Sequence, residues 1–102
     1  MPMQDRRAAE RIRIDLNVRW ESLLAEGRGT VCDLSSLGCF VLTRADVRQG
    51  ELIRIEINFP SKVASFWGEV VYAPAEIGFA LRFAFGGKED RSLLAELIKS
   101  VK

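Results

Sequence analysis

The sequence predicts an all-β fold, a six-stranded antiparallel β-barrel with a C-terminal α-helix. Apolar and polar residues alternate with a period of two over most of the chain, as in strands that bury one face. Glycine, proline and short polar stretches interrupt this alternation at intervals suited to hairpins. Only the C-terminal segment spaces its apolar residues as a helix does. A closed barrel with a helix across one end hides the strand edges that an open sheet would expose.

The first predicted strand spans residues 12–19, where isoleucine, leucine and valine alternate with charged or polar residues. Trp20, Leu23 and Leu24 could extend this strand. The pair Glu26-Gly27 then predicts a turn, because glycine interrupts regular structure more strongly than most residues do.

Two shorter strands are predicted at residues 28–32 and 39–42, on either side of a polar turn at residues 33–38. Aspartate and serine side chains in such a turn can bond nearby backbone N–H groups, and glycine can adopt a positive φ. A polar connection at residues 43–50, which ends in glycine, follows the third strand.

The second half of the chain holds three more predicted strands, at residues 51–59, 66–73 and 77–85. Pro60 ends the first of them, since proline cannot donate to a ladder of hydrogen bonds. The other two are joined by a short turn at residues 74–76 and form a hairpin. Both tryptophans of the chain are expected to be packing residues rather than ligand platforms.

A short amphipathic helix is predicted at residues 90–101, after the glycine pair at residues 86–87 breaks the sheet. Asp90 is a suitable N-cap because its carboxylate can accept from the first free N–H groups of a helix. The helix is too short to be stable alone, so it must dock on the sheet.

The composition narrows the classes of function. The chain has 102 residues and 48% hydrophobic content, which suits one domain with one core. Its formal net charge of +1 lacks the basic field of a general DNA- or RNA-binding protein. We expect no membrane insertion and a cytoplasmic location, because no apolar run approaches the ~20 residues of a membrane helix and no signal peptide begins the chain.

Histidine is absent, which removes the commonest general base and the commonest metal ligand. We therefore predict no catalytic residue, no metal site and no enzymatic activity. Cys32 and Cys39 lie on opposite sides of the polar turn and are expected to be small buried thiols rather than a disulfide.

Residues 1–11 are predicted to form a flexible N-terminal arm, because they contain almost no large apolar residue that could order them. Residues 12–102 form the predicted barrel domain with its helix. Arg7 and Arg11 of the arm have the pattern RxxxR, and Arg6 extends it to RRxxxR.

Asp33, Ser35 and Gly38 in the polar turn have the pattern DxSxxG. Each pattern alone is weak, but both occur in order, separated by one predicted hairpin, in a domain of suitable size. With both patterns complete, nearly the whole chain resembles the PilZ domain family of bacterial receptors for cyclic di-GMP. The resemblance implies a PilZ-type β-barrel of six strands with a flanking helix, in agreement with the strand pattern.

The resemblance also implies the ligand and its site. The ligand is cyclic di-GMP, and no cofactor is expected. In the family, an arginine immediately before RxxxR goes with binding of an intercalated ligand dimer, so Arg6 implies two ligand molecules per domain. The ligand-binding residues that the two motifs imply are Arg6, Arg7, Arg11, Asp33, Ser35 and Gly38.

The residue types suit this ligand independently of the resemblance. Arginine can donate a bidentate pair to guanine O6 and N7, stack on a base, or fork onto a phosphate. Asp33 can accept from the N1–H and N2–H groups of guanine. Ser35 can bond a phosphate or a backbone group, and Gly38 permits close approach of the backbone to a ligand.

Other functions remain open at this point. A single receptor domain without an output module must signal through a partner, an effector protein that the sequence does not identify. The alternative is a PilZ-like protein–protein interaction module that does not bind the nucleotide. An enzyme would need paired carboxylates or a reactive cysteine, and a nucleic-acid-binding barrel would need a basic strand face.

Overall fold

Six strands close into an antiparallel barrel in the computed structural model, which describes residues 10–101 of the chain. The strands are β1 Ile12–Glu21, β2 Glu26–Leu34, β3 Gly38–Leu42, β4 Leu52–Asn58, β5 Val63–Tyr72 and β6 Gly78–Phe83, and helix α1 Lys88–Val101 follows them. Their order around the barrel is β1-β2-β3-β6-β5-β4, and β4 pairs with β1 to close it. The predicted fold class is confirmed.

The strand register defines two ends of the barrel. At the upper end, Ile12 at the start of β1 faces Leu34 near the β2–β3 turn. At the lower end, Glu21 faces Glu26 across the β1–β2 turn and also faces Arg54 of β4. The start of β1 therefore lies beside the β2–β3 turn.

The inward faces of the strands form one apolar core, because alternate residues of each strand point inside. Trp20 and Phe79 meet edge to face, with ring centroids 5.6 Å apart and an angle of 84° between the ring planes. The core residues that have no exposed surface are Val31, Leu34, Val41, Ile53, Ile55, Ile57, Val70, Phe79 and Leu94.

Helix α1 docks on this core through Leu94, Leu97 and Ile98, which are buried in the same cluster as the strand residues. It begins at Lys88 rather than at the predicted residue 90. Asp90 therefore lies within the first turn and is not the N-cap, although a carboxylate there still interacts favourably with the helix dipole.

The predicted turn at residues 26–27 is wrong, because β2 begins at Glu26. The turn lies at residues 22–25, where the Ser22 hydroxyl accepts hydrogen bonds from the backbone N–H groups of Leu24 and Ala25 at 3.3 and 3.1 Å. Gly27 has a packing role instead. A Cβ there would lie 2.7 Å from the ring of Trp20.

Several other boundaries also differ from the predictions. β2 continues through Asp33 to Leu34, so the following turn is shorter than residues 33–38. β5 begins at Val63, earlier than residue 66, because it pairs with β4 directly after their turn. The alternation in the predicted last strand extends to residue 85, but β6 ends at Phe83.

Leu94→Ala should lower the free energy of unfolding by about 2–5 kcal/mol, because it leaves a cavity where the helix meets the barrel. Urea unfolding followed by circular dichroism measures the change. Leu93→Ala is the matched control, since Leu93 is only half-buried and should lose less than half as much. Equal losses would show that the helix docks through a different face.

Candidate functional site

Arg11 and Asp33 form a forked ion pair at the upper end of the barrel. The Arg11 Nε–H group donates to Asp33 Oδ1 and Oδ2 at 3.2 and 3.0 Å, and Nη2 lies 2.9 Å from Oδ2. The two residues are 22 positions apart in the sequence. The structure thus joins one residue of the RxxxR pattern to one residue of the DxSxxG pattern.

The strand register positions this pair. Arg11 directly precedes β1, and Asp33 lies opposite Arg13 in the β1–β2 pairing. The register shifts between Arg13 and Leu16 in that pairing, and between Val31 and Asp33 in the β2–β3 pairing. Such bulges bend strands and reorient side chains at barrel rims, so both irregularities shape this part of the surface.

The ion pair is open to solvent. The side chain of Arg11 is 63% exposed and that of Asp33 is 31% exposed. Exposed pairs contribute about 0–1 kcal/mol to stability because water screens them. A charged or polar ligand can therefore reach both groups, and separating them costs little.

Ser35 is buried, and its hydroxyl holds the β2–β3 turn. The Ser35 oxygen accepts from the backbone N–H groups of Leu37 and Gly38 at 3.1 and 3.3 Å. The Ser35 N–H group also donates to the Gly38 carbonyl oxygen at 2.9 Å. Of the two roles that the sequence allowed for Ser35, the structure shows the bond to the backbone.

Gly38 faces Arg82 in the pairing of β3 with β6, and these two backbones approach closely. A Cβ at Gly38 would collide with the carbonyl oxygen of Leu81. Strand packing alone therefore requires glycine at this position, whether or not a ligand also approaches it.

Arg6 and Arg7 lie outside the described residues, so the geometry covers Arg11, Asp33, Ser35 and Gly38 of the predicted site. Trp20 is buried, as expected of a packing residue. Trp67 is exposed on the outer face of β5, which contradicts its predicted packing role. The reason is the alternation of inward and outward positions along β5. Phe66 and Gly68 occupy inward positions, so Trp67 between them faces outward.

Neither cysteine forms a disulfide within residues 10–101, and Cys39 is buried beside Leu34. Burial raises the pKa of the Cys39 thiol, and the nearby Asp33 carboxylate raises it further. Cys39 therefore stays a neutral thiol at neutral pH, which suits core packing better than nucleophilic attack.

The described residues contain neither a cluster of metal ligands nor a membrane-spanning helix. No group of three or more cysteine, aspartate or glutamate side chains within residues 10–101 could hold a metal ion. In the same range, no helix has the length and apolar character needed to span a membrane.

Comparison with known proteins gives a consistent result. The sequence profile of the PilZ domain matches residues 5–100. No curated protein sequence matches the chain significantly. The solved structures described next are less than 25% identical to the chain, so they show the fold alone.

Three of these structures illustrate the likeness. The PilZ domain of YcgR from Escherichia coli with c-di-GMP is 19% identical, with a TM-score of 0.77 over 93% of this chain and 90% of that one. The PilZ domain of CeSA from a cellulose-synthesizing bacterium is 14% identical, with a TM-score of 0.75 over 90% and 97%. The Borreliella burgdorferi PlzA protein in complex with c-di-GMP is 19% identical, with a TM-score of 0.62 over 94% and 42%.

Ser35→Ala should lower the free energy of unfolding by about 1–2 kcal/mol, because two backbone N–H groups of the β2–β3 turn lose their acceptor. Thermal or urea unfolding measures the loss. Ser36→Ala is the matched control, since Ser36 is exposed and its replacement should change stability by less than about 0.5 kcal/mol. Similar effects of the two changes would contradict the structural role of the Ser35 hydroxyl.

Proposed function

The chain belongs to the PilZ domain family, and on that premise we propose that it is a non-catalytic receptor that binds cyclic di-GMP and signals to a partner protein. The observation that carries the proposal is the contact between Arg11 and Asp33. Two motifs that are distant in sequence supply a cation and an anion to one exposed place. Cyclic di-GMP needs both, since it has two anionic phosphates and two guanines with polar edges.

Arg11 can serve either part of this ligand. Its guanidinium carries five N–H donors in a planar fork that matches guanine O6 and N7 or two phosphate oxygens. The same planar group can stack on a purine. Arg11 is mostly exposed, so it can take up these contacts without disturbing the core.

Asp33 complements Arg11 because its carboxylate accepts hydrogen bonds and cannot donate them when ionised. The N1–H and N2–H groups of guanine present two parallel donors of suitable spacing. In the proposed complex these donors replace the Arg11 donors on Asp33, and Arg11 turns to the acceptors of the ligand. Both groups keep hydrogen-bond partners throughout, so neither is left without one.

Ser35 and Gly38 support the site from below in this proposal. The serine fixes the turn that follows Asp33, and the glycine keeps β3 close to β6. A site whose floor is formed in advance loses less conformational entropy on binding. The variable part is the segment before β1, where Arg6 and Arg7 would close over the ligand and become ordered.

Structural neighbours support the choice of ligand. The YcgR domain and the PlzA protein were both solved with c-di-GMP. Their low identity limits them to showing the fold, so the residues Arg11 and Asp33 of this chain carry the proposal. A receptor of this kind needs no metal and no general base, in keeping with a sequence that lacks histidine.

Arg11→Ala and Asp33→Ala should each weaken binding of cyclic di-GMP by roughly ten- to a hundredfold. The reason is that each change removes charge-assisted hydrogen bonds that contribute about 1.5–3 kcal/mol. Isothermal titration calorimetry on the full chain measures the effect. Both variants should stay folded, because the pair itself contributes at most about 1 kcal/mol.

Arg19→Ala provides a matched control for this experiment. Arg19 pairs with Glu56 at 3.8 Å, with side chains 62% and 31% exposed, almost as in the Arg11–Asp33 pair. An equal loss of affinity in Arg19→Ala would indicate general electrostatic attraction instead of a site. If the wild-type chain shows no binding at micromolar ligand, the chain is an interaction module that does not bind the nucleotide.

The position of Arg6 leads to a separate prediction about stoichiometry. The wild-type titration should saturate at two ligand molecules per chain, and Arg6→Ala should saturate at one, because Arg6 would contact the second molecule of an intercalated dimer. Amide chemical shifts recorded in the same titration should show whether residues 1–11 become ordered. Saturation of the wild type at one molecule would contradict the dimer and leave the site at Arg11 and Asp33 intact.

A further inference from the structure

The lower end of the barrel carries an apolar groove that the nucleotide site does not use. Leu23 and Leu24 at the β1–β2 turn are almost fully exposed, and Leu52 and Trp67 are 59% and 52% exposed. These four side chains line one depression of about 1190 Å³, which we call the leucine groove. Its volume exceeds the ~300–1,000 Å³ of typical small-molecule pockets, so it suits a peptide better than a metabolite.

The side chains of the two leucines make no hydrogen bond that holds the turn that presents them. That turn is held by Ser22, whose N–H group donates to the Ala25 carbonyl at 2.7 Å and whose hydroxyl accepts from the next N–H groups. Polar residues would serve equally well at positions 23 and 24 and would avoid exposing apolar surface. Single exposed leucines are ordinary, whereas several that converge on one depression mark interaction sites.

Trp67 strengthens this interpretation. It lies on the outer face of β5 opposite Arg54 of β4, and Leu52 is two residues before Arg54 on that strand. Tryptophan is enriched at the centre of protein interfaces, where a large rigid side chain loses little entropy on burial. The β1–β2 turn, the connection before β4 and the outer face of β5 together line the groove.

The rim of the leucine groove is acidic. Its lining includes the carboxylates of Glu21, Asp46 and Glu51 and a single guanidinium, that of Arg48. Within residues 10–101, no ion pair involves any of these three carboxylates. The Glu51 carboxylate accepts a hydrogen bond from the backbone N–H of Arg48 at 2.7 Å, which leaves its charge unneutralised.

Arg54 stands close to this rim but is engaged elsewhere. Its Nη2 donates to Ser65 Oγ at 3.1 Å, and its Nη1 lies 3.8 Å from Glu56 Oε2. Glu56 and Ser65 face each other in the β4–β5 pairing, and Glu56 is two residues beyond Arg54 from Leu52. The groove therefore keeps an excess of two negative charges, counted as three carboxylates against one guanidinium.

We propose that the leucine groove docks an amphipathic helix of a partner protein, with an apolar face flanked by lysine or arginine. The apolar face would cover the two leucines and Trp67, and the basic flanks would pair with Glu21 and Asp46. Helices commonly bind in this way, through anchors at positions i, i+3, i+4 and i+7 in an apolar groove. The charge on the rim selects the basic partner.

The same charges disfavour the other occupants. A second copy of this chain would bring one acidic rim against another, and the apolar face of its own helix α1 is already buried. An anionic membrane would be repelled by the rim. The docking site is separate from the Arg11–Asp33 site, at the opposite end of the barrel, and the proposal does not rest on nucleotide binding.

A pair of synthetic peptides tests the proposal on the full chain without cyclic di-GMP. One is a leucine/lysine helix with leucines at i, i+3, i+4 and i+7, and the other has glutamate at every lysine position. The lysine peptide should bind and shift the Trp67 emission to shorter wavelength, over a constant background from the buried Trp20. The glutamate peptide should bind at least about tenfold more weakly, because it brings like charges together.

Variants then assign the effect to the groove. The double change Leu23→Ser with Leu24→Ser should weaken binding of the lysine peptide by about tenfold or more without lowering Tm, since Ser22 holds the turn. The double change Glu21→Lys with Asp46→Lys should reverse the preference between the peptides. Val63→Ser removes an exposed apolar residue at the upper end and should change neither affinity.

Four results would overturn the proposal. Equal binding of both peptides would show mere apolar adhesion, and unchanged binding by the leucine double variant would place the contact elsewhere. A wild-type dimer in sedimentation that dissociates in the leucine double variant would make a second copy the occupant. A blue shift of Trp67 with neutral phosphatidylcholine vesicles, and none with peptide, would make it a lipid surface.

Discussion

Closure of the sheet between β1 and β4 is the constraint on which the rest of the structure depends. Val18 faces Ile57 in that pairing, so each of the six described strands pairs with a neighbour on both sides. Because side chains alternate along a strand, the closed register admits only one set of residues to the interior. That interior is filled with apolar side chains, which leaves the outer face and the two ends for polar recognition.

The upper end departs from regular pairing at the place where the two motifs meet. The register shifts on both sides of β2 near Asp33, and Arg11 enters β1 beside it. Ser35 then turns the chain within a few residues, with its own hydroxyl as the acceptor. The lower end shows a different arrangement. Its exposed leucines are presented by a turn that Ser22 holds, and the carboxylates of Asp46 and Glu51 lie on the neighbouring connection between β3 and β4.

Much of the fold could be predicted because the alternation of apolar and polar residues along each strand indicates which side chains are buried. Ile53, Ile55 and Ile57 show it most clearly, since all three are fully buried. The same alternation indicates that Trp67 faces outward, because its position along β5 decides its direction more than its apolar character does. Other features depend on partners that are distant in sequence: the glycine at 27 serves the ring of Trp20, and no pattern in either motif reveals that Arg11 reaches Asp33. The motifs indicated which residues to bring together, and the barrel register supplied the geometry.

The close packing of the barrel limits how a receptor of this shape could signal. Its core residues are at most 9% exposed, and dense cores shift between discrete arrangements rather than deforming gradually. A nucleotide at Arg11 and Asp33 would therefore act on the segment that precedes β1, which is joined directly to the site, more than on the leucine groove below. The fold measures 35 × 35 × 25 Å, and a helix of about 20 residues spans about 30 Å. A helix of that length is shorter than the 35 Å dimensions of the fold, so a partner helix held in the groove would sense the nucleotide only if it also contacted the upper end.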